Sequence, residues 1–146
     1  MSRCNLTQTD FVLFNGDMLS FINSEDQLFK GFMDTAVRLF ASEIPMYYAR
    51  GNHETRGVFA TEIQRYFSPC QEHLYYAFRQ GPVYCIVLDT GEDKPDSDIE
   101  YAGITQYDLY RTEQSEWLAS ILESTEYKEA PFKIIVAHIP PAVTEA

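Results

Sequence analysis

The chain has 146 residues, enough for one domain and too short for two of ordinary size. Hydrophobic residues make up 45% and charged residues 23%, a balance that excludes disordered, collagen-like and coiled-coil proteins. Lys and Arg number 11 against 22 Asp and Glu, a formal net charge of −11. Such a surface repels phosphate backbones and anionic lipid, which argues against nucleic-acid binding through a basic patch; a metal ion is the obvious source of positive charge for an anionic substrate.

No apolar run approaches the length needed to span a bilayer, and Met1–Thr7 lacks the apolar stretch of a secretion signal. The cysteines Cys4, Cys70 and Cys85 are odd in number and widely spaced, so they read as buried thiols rather than a disulfide framework or a zinc site. Phe11-Val12-Leu13-Phe14-Asn15 reads as a strand buried on both faces and ends at Gly16-Asp17. Ser24-Glu25-Asp26-Gln27 matches a capping box, with acidic residues suited to the first turn. Leu28, Phe29, Phe32, Met33, Ala36, Val37 and Phe40 then follow at helical spacing, predicting a helix of about 18 residues that stops before Pro45.

Pro45–Ala49 reads as a second strand, followed by Arg50-Gly51-Asn52-His53-Glu54, and residues 59–67 as a short helix. His73–Arg79 and Val83–Asp89 are expected as a hairpin joined at Gly81-Pro82. Residues 90–110 have no clear period and read as a long loop, after which Thr112 is expected to cap a helix with Trp117, Leu118, Ile121 and Leu122 as its apolar stripe. Phe132–Ala137 is a last buried-type strand, with His138 just past it. The order predicts a single α/β domain over residues 1–146, with a largely parallel or mixed sheet flanked by helices and one hairpin.

Parallel α/β sheets gather functional groups just beyond the C-terminal ends of their strands. Three strands here end in residues suited to metal or acid–base chemistry: Asp17 after the first, Asn52-His53-Glu54 after the second, and His138 after the last. Carboxylate, amide oxygen and imidazole form a donor set that suits Mn, Fe or Zn and does not choose among them. Gly-Asp is a common turn and a lone loop His is usually structural, so Asp17 and His138 are weak signals singly. The string Gly51-Asn52-His53-Glu54 is different, because neither turn propensity nor core packing asks for it. His73, between Glu72 and Leu74, reads as structural.

At these residues the chain resembles the calcineurin-like metallophosphoesterases, the superfamily that includes purple acid phosphatases. Gly16-Asp17, Gly51-Asn52-His53-Glu54 and His138 match three consecutive motifs of that family in order and in context. The resemblance implies a four-layer αββα sandwich and two divalent or trivalent metal ions. It implies that Asp17 bridges the two ions and that Asn52 and His138 ligate the second. His53 would contact the phosphoryl oxygens and help protonate the leaving alkoxide, with Glu54 a candidate to orient its ring. Two ions about 3.5–4 Å apart can clamp the attacking and leaving oxygens of a phosphoryl centre and generate hydroxide near neutrality. The implied substrate is a small-molecule or macromolecular phosphate ester.

The family's first motif, D-x-H, does not precede Asp17, and its last, G-H-x-H, does not follow His138. The chain is therefore expected to be an internal segment of a longer domain, with an exposed apolar sheet edge, weak metal binding and little hydrolysis by itself. Ser20 stands where purple acid phosphatases carry a tyrosine ligand, so no coloured site is expected. Asp96, Asp98 and Glu100 alternate like the start of an EF-hand loop but fail it at Tyr101 and Tyr107, and a solvated acidic loop is the better reading. Tyr101, Tyr107 and Tyr110 would line a substrate cleft if their loop folds over the strand ends. Arg50 either touches a phosphate or pairs with a surface acid, the pair being favoured. A second class of function stays open: a non-catalytic α/β binding module that retains a partial metal site.

Overall fold

Alternation along the strands sends apolar side chains to two different cores, and that division sets the architecture. In the computed structural model, which describes residues 6–68 and 73–140, the strands divide between two sheets. β1 (Val12–Asn15) pairs in parallel with β2 (Met46–Ala49). The second sheet has the order β3 (Tyr76–Gln80), β4 (Val83–Leu88), β5 (Phe132–Ala137), antiparallel across the hairpin and parallel between β4 and β5. Leu13, Tyr47 and Ala49 of the first sheet meet Tyr76, Phe78, Val87 and Val136 of the second. Their neighbours in sequence face outward, as a period of two requires. Phe14 and Tyr48 pack under the first helix, and Tyr84, Ile86 and Leu88 pack under the long C-terminal one. The layers therefore run helix, sheet, sheet, helix.

The first helix, α1, is a continuous run of alternating α and π turns: Glu25–Leu28, Phe29–Met33, Asp34–Ala36 and Val37–Ala41. Ser24 caps it as the sequence predicts, its hydroxyl accepting from the Gln27 amide at 3.2 Å, while Gln27 Oε1 accepts from the Asn23 amide at 2.9 Å. Leu28, Phe32 and Ala36 form its buried stripe. Gly31 lies so close to the chain after β1 that a Cβ there would sit 2.6 Å from Leu19 Cδ2. The segment expected over 59–67 is a 3₁₀ turn, Ala60–Ile63, running into a short helix α2, Gln64–Phe67.

The second long helix, α3, spans Tyr107–Glu123 and is followed by α4, Thr125–Glu129. It starts five residues before the predicted cap at Thr112, whose hydroxyl instead donates to the Asp108 carbonyl inside the helix. The cap comes from a distance: the Asp96 carboxylate accepts from the amides of Tyr107 and Asp108, each at 2.9 Å. Two of the orphan first-turn donors are thereby satisfied from the loop, so Asp96 belongs to a helix terminus rather than to a solvated acidic run. Burial opposes the Asp96 charge, but these backbone bonds and Thr105 hold its carboxyl below the usual range.

The outer edge of β5 has no strand partner among the described residues, and Phe132, Ile134 and Ile135 are exposed there. No helix of the described residues is long and apolar enough to cross a membrane. Cys85 is a buried free thiol, pushed up by burial; Cys4, Cys70 and Glu72 lie outside the described residues. His73 precedes β3 rather than lying in it, stacked on Tyr75 with ring centroids 4.5 Å apart.

Candidate metal centre and active site

Three chain segments converge beyond the strand ends, and glycine sets how closely. Gly16 and Asp17, just after β1, both take the left-handed backbone, with φ of 72° and 57°. Glycine adopts this freely and aspartate is among the few other residues that tolerate it. A Cβ on Gly16 would lie 2.5 Å from the Gly51 nitrogen and 2.6 Å from His138 Nδ1; one on Gly51 would lie 2.2 Å from Asp17 Oδ1. The backbone after β1 is therefore wedged between the backbone after β2 and the imidazole after β5.

Asp17 touches both neighbours. Its Oδ1 accepts from the His53 amide at 3.2 Å, and its Oδ2 faces His138 Nε2 at 3.3 Å. His138 Nδ1 lies 2.6 Å from the Asn15 carbonyl. A carbonyl only accepts, so Nδ1 carries the proton and a neutral ring presents the Nε2 lone pair beside the Asp17 carboxylate. Two acceptors side by side, one with its far nitrogen fixed by a backbone carbonyl, are the arrangement in which imidazole and carboxylate share a cation. Asn52, in the same turn as His53, directs its amide to the Glu92 carboxylate. The donors present, Asp17 and His138 with the Asn52 amide, fit an oxygen- and nitrogen-liganded ion. They are too few to enclose one, and among the described residues no group of three or more His, Cys, Asp or Glu side chains is gathered for that purpose.

His53 stands at the mouth of this arrangement, in the 3₁₀ turn His53–Thr55. Its Nδ1 lies 3.2 Å from the Ser20 carbonyl, so Nδ1–H is engaged and Nε2 is the nitrogen open to exchange a proton. The ring is thus positioned by Ser20, whereas Glu54, expected as its orienting partner, points elsewhere. Glu54 is 1% exposed. Its carboxylate accepts from the amides of Asp17 at 2.8 Å, Leu19 at 2.9 Å and Gly51 at 3.1 Å. Adjacent residues in a turn point in different directions, and Glu54 points inward to pin the two loops together.

Arg50, weighed in the sequence as a substrate contact, is a buried ion-pair partner. Its guanidinium meets Asp89 at 2.7 Å, and Asp89 is fully buried rather than a surface acid. Burial works against the Arg50 charge and Asp89 more than offsets it. Tyr110 donates to the same carboxylate at 2.9 Å and receives the Leu74 amide at 3.3 Å. The Tyr107 ring lies 5.9 Å from the Arg50 guanidinium carbon and leaves no room for a Cβ on Gly91. Tyr101 lies farther out, its hydroxyl receiving the Lys94 amide at 3.2 Å, on a cleft of ≈ 340 Å³ shared with Arg56, Glu92, Asp93 and Lys94. The three tyrosines do fold toward the strand ends, two of them into the structure rather than onto an open cleft.

Sequence reasoning missed Asp89 and Glu92. The signal was present, because Asp89-Thr90-Gly91-Glu92 follows β4 as directly as Gly16-Asp17 follows β1. A buried acid also serves as a structural anchor, which nothing in the spacing distinguishes from a ligand.

Comparison with known proteins agrees with this geometry. No curated protein and no solved structure matches the chain. The sequence pattern of one family, calcineurin-like phosphoesterase, matches residues 3–145. That span holds Asp17, Asn52, His53 and His138 at the rim of a helix–sheet–sheet–helix fold, and the chain belongs to the calcineurin-like phosphoesterases, a family of hydrolases that generally act on phosphoesters with divalent metal ions.

Proposed function

We propose that the protein hydrolyses a phosphate ester at the rim formed by Asp17, Asn52, His53 and His138. The observation that carries this reading is the placement of one carboxylate, Asp17, against both His53 and His138. Asp17, Asn52 and His138 would hold divalent cations there, Mn, Fe or Zn by the chemistry of the donors. In a two-ion site Asp17 is the bridging ligand, and further ligands complete the coordination. When bound, such ions supply positive charge to the phosphoryl oxygens and lower the pKa of water.

The chain's own residues do the rest. Glu54 fixes the Asp17 and Gly51 loops relative to one another through three backbone amides. Ser20 holds the His53 ring by Nδ1, leaving Nε2 to contact a phosphoryl oxygen and deliver a proton to the departing alkoxide. With a net charge of −11 the protein itself repels an anionic ester, so recognition concentrates at the rim. The substrate is a phosphate ester on a small molecule or a macromolecule, not a nucleic acid gripped by a basic surface.

A second reading, a non-catalytic module with a partial metal site, draws on the small number of donors gathered among the described residues. An aryl phosphate assay with added Mn²⁺ or Zn²⁺ separates the two. The catalytic reading expects turnover, and it expects His53→Ala to lower kcat by about 100-fold or more, as loss of a general acid does. Turnover that survives the substitution would remove His53 from the mechanism, and the absence of any metal-dependent turnover would favour the module.

A further inference from the structure

We propose that Glu92 is a positioning residue that fixes the Asn52 side chain with its amide nitrogen inward and its oxygen free for a cation. The inference rests on the reading of Asn52 as a metal ligand and adds a residue that no motif supplied. Glu92 is 7% exposed, a rare state for a carboxylate unless its oxygens are engaged.

They are engaged by the turn that carries Asn52. Arg56 approaches in a two-pronged pair, Nε to Oε1 at 3.1 Å and Nη2 to Oε2 at 3.2 Å. The Thr55 hydroxyl lies 2.5 Å from Glu92 Oε1 and 2.7 Å from the Asn52 carbonyl, so its single proton ties the ligand's own backbone to the same carboxylate. The Asn52 side chain is the third partner. A carboxylate accepts only, so it is the Asn52 nitrogen that faces Glu92 and Oδ1 is turned away from it. That choice matters, because an amide flipped by half a turn would present N–H donors to a cation, and N–H donors do not coordinate. Burial alone would push the Glu92 carboxyl up, yet Arg56, Thr55 and Asn52 hold it below the usual range. The carboxylate form, the one that can select the amide's orientation, is therefore the form present near neutrality.

Metal sites are commonly tuned by such outer partners, whose loss costs roughly 10–100-fold in metal affinity. Glu92→Gln keeps the shape but offers an N–H₂ group that competes for the Asn52 oxygen. Metal-free protein of the unaltered chain and of each variant is titrated with Mn²⁺, and separately with Zn²⁺, by calorimetry. Glu92→Gln is expected to weaken binding by about 10-fold or more, while Arg56→Ala, which removes the ion pair and leaves the Asn52 contact, stays near the unaltered affinity. Unchanged affinity in Glu92→Gln, with Asn52→Ala weakened, overturns the positioning role and leaves Asn52 a ligand. Unchanged affinity in Asn52→Ala overturns the ligand reading itself, and this inference with it. Equal weakening in Arg56→Ala and Glu92→Gln also overturns it, since Glu92 then serves only as a clamp on the turn. Should Glu92→Gln not fold, Glu92→Asp withdraws the charge by one methylene and gives the same two outcomes: weakened binding supports the assignment, unchanged binding ends it.

Discussion

Two polar clusters lie side by side beyond the strand ends, one closed and one open. Around Asp89 both carboxylate oxygens are engaged, by Arg50, by the Gly91 amide at 3.1 Å and by Tyr110, and the side chains of Arg50 and Asp89 are 11% and 0% exposed. Gln114 closes the group by pairing with both backbone atoms of Asp89. Around Asp17 one oxygen takes a single amide and the other faces an imidazole, with side chains 36% and 19% exposed for Asp17 and His138. The two clusters are made of similar residues at similar places in the fold. What separates them is the number of lone pairs left over, and leftover acceptors at a rim are what a cation requires, whereas a satisfied buried pair contributes rigidity.

The sharpest way to break this comparison is Arg50→Ala. It strips the partner from a fully buried carboxylate, and breaking such a pair typically costs about 3–5 kcal/mol because the remaining charge is uncompensated. Denaturant unfolding of metal-free protein would show it. A loss below about 1 kcal/mol, the size of an exposed pair, would mean that the knot is no anchor and that Arg50 is available to a substrate.

A second closed contact ties the two sheets together and gives a smaller effect. The Tyr76 hydroxyl accepts from the Tyr48 amide at 2.9 Å and donates to the Tyr48 carbonyl at 3.0 Å. Tyr76→Phe leaves both backbone groups buried and unpaired, a cost of about 1–3 kcal/mol. Burial pushes the Tyr76 phenol up to about 12 from 10.0. A pKa raised on folding stabilises the native state below the unfolded value and not above the folded one. The stability of the unaltered protein should therefore fall as pH rises from 10 to 12, and the Phe variant should lack this component. Parallel alkaline profiles for the two proteins would exclude Tyr76 as the titrating group.

These cases mark what the sequence discloses. Asp17, Asn52 and His138 were legible because a strand end is a local feature: an apolar run, a glycine and a polar residue read in order. The cap on Ser24 was legible for the same reason, its partner Gln27 lying three residues away. The Asp96 cap was not, since its bonds reach Tyr107 and Asp108 across a loop with no period. Glu54 was misassigned because adjacency along the chain stood in for adjacency in space; the His53 ring meets Ser20, from the other side of the rim. Arg50 shows the same limit from the opposite side, as its partner Asp89 is fixed by sheet packing and by no spacing within the chain. The layers were implied by family resemblance, whereas the division of Tyr47 and Tyr48 between two cores follows from strand alternation alone.

The smallest expected effect tests the open cluster most directly. Asp17→Asn keeps the size of the side chain and an oxygen for the His53 amide, and asparagine tolerates the positive φ of this position as well as aspartate does. No buried partner loses its counter-charge, because the Asp17 carboxylate is exposed and His138 keeps its bond to the Asn15 carbonyl. The metal-free variant should therefore match the unaltered protein within about 0.5 kcal/mol, the range of ordinary surface substitutions. The same variant loses the negative charge that makes Asp17 a cation ligand, so added Mn²⁺ should raise the melting temperature of the unaltered protein and not of the variant, by mass action on the native state. If Asp17→Asn instead destabilised the metal-free chain as Arg50→Ala does, Asp17 would belong with Asp89 as a structural acid, and the distinction between an anchoring cluster and a binding one would fail at its central residue.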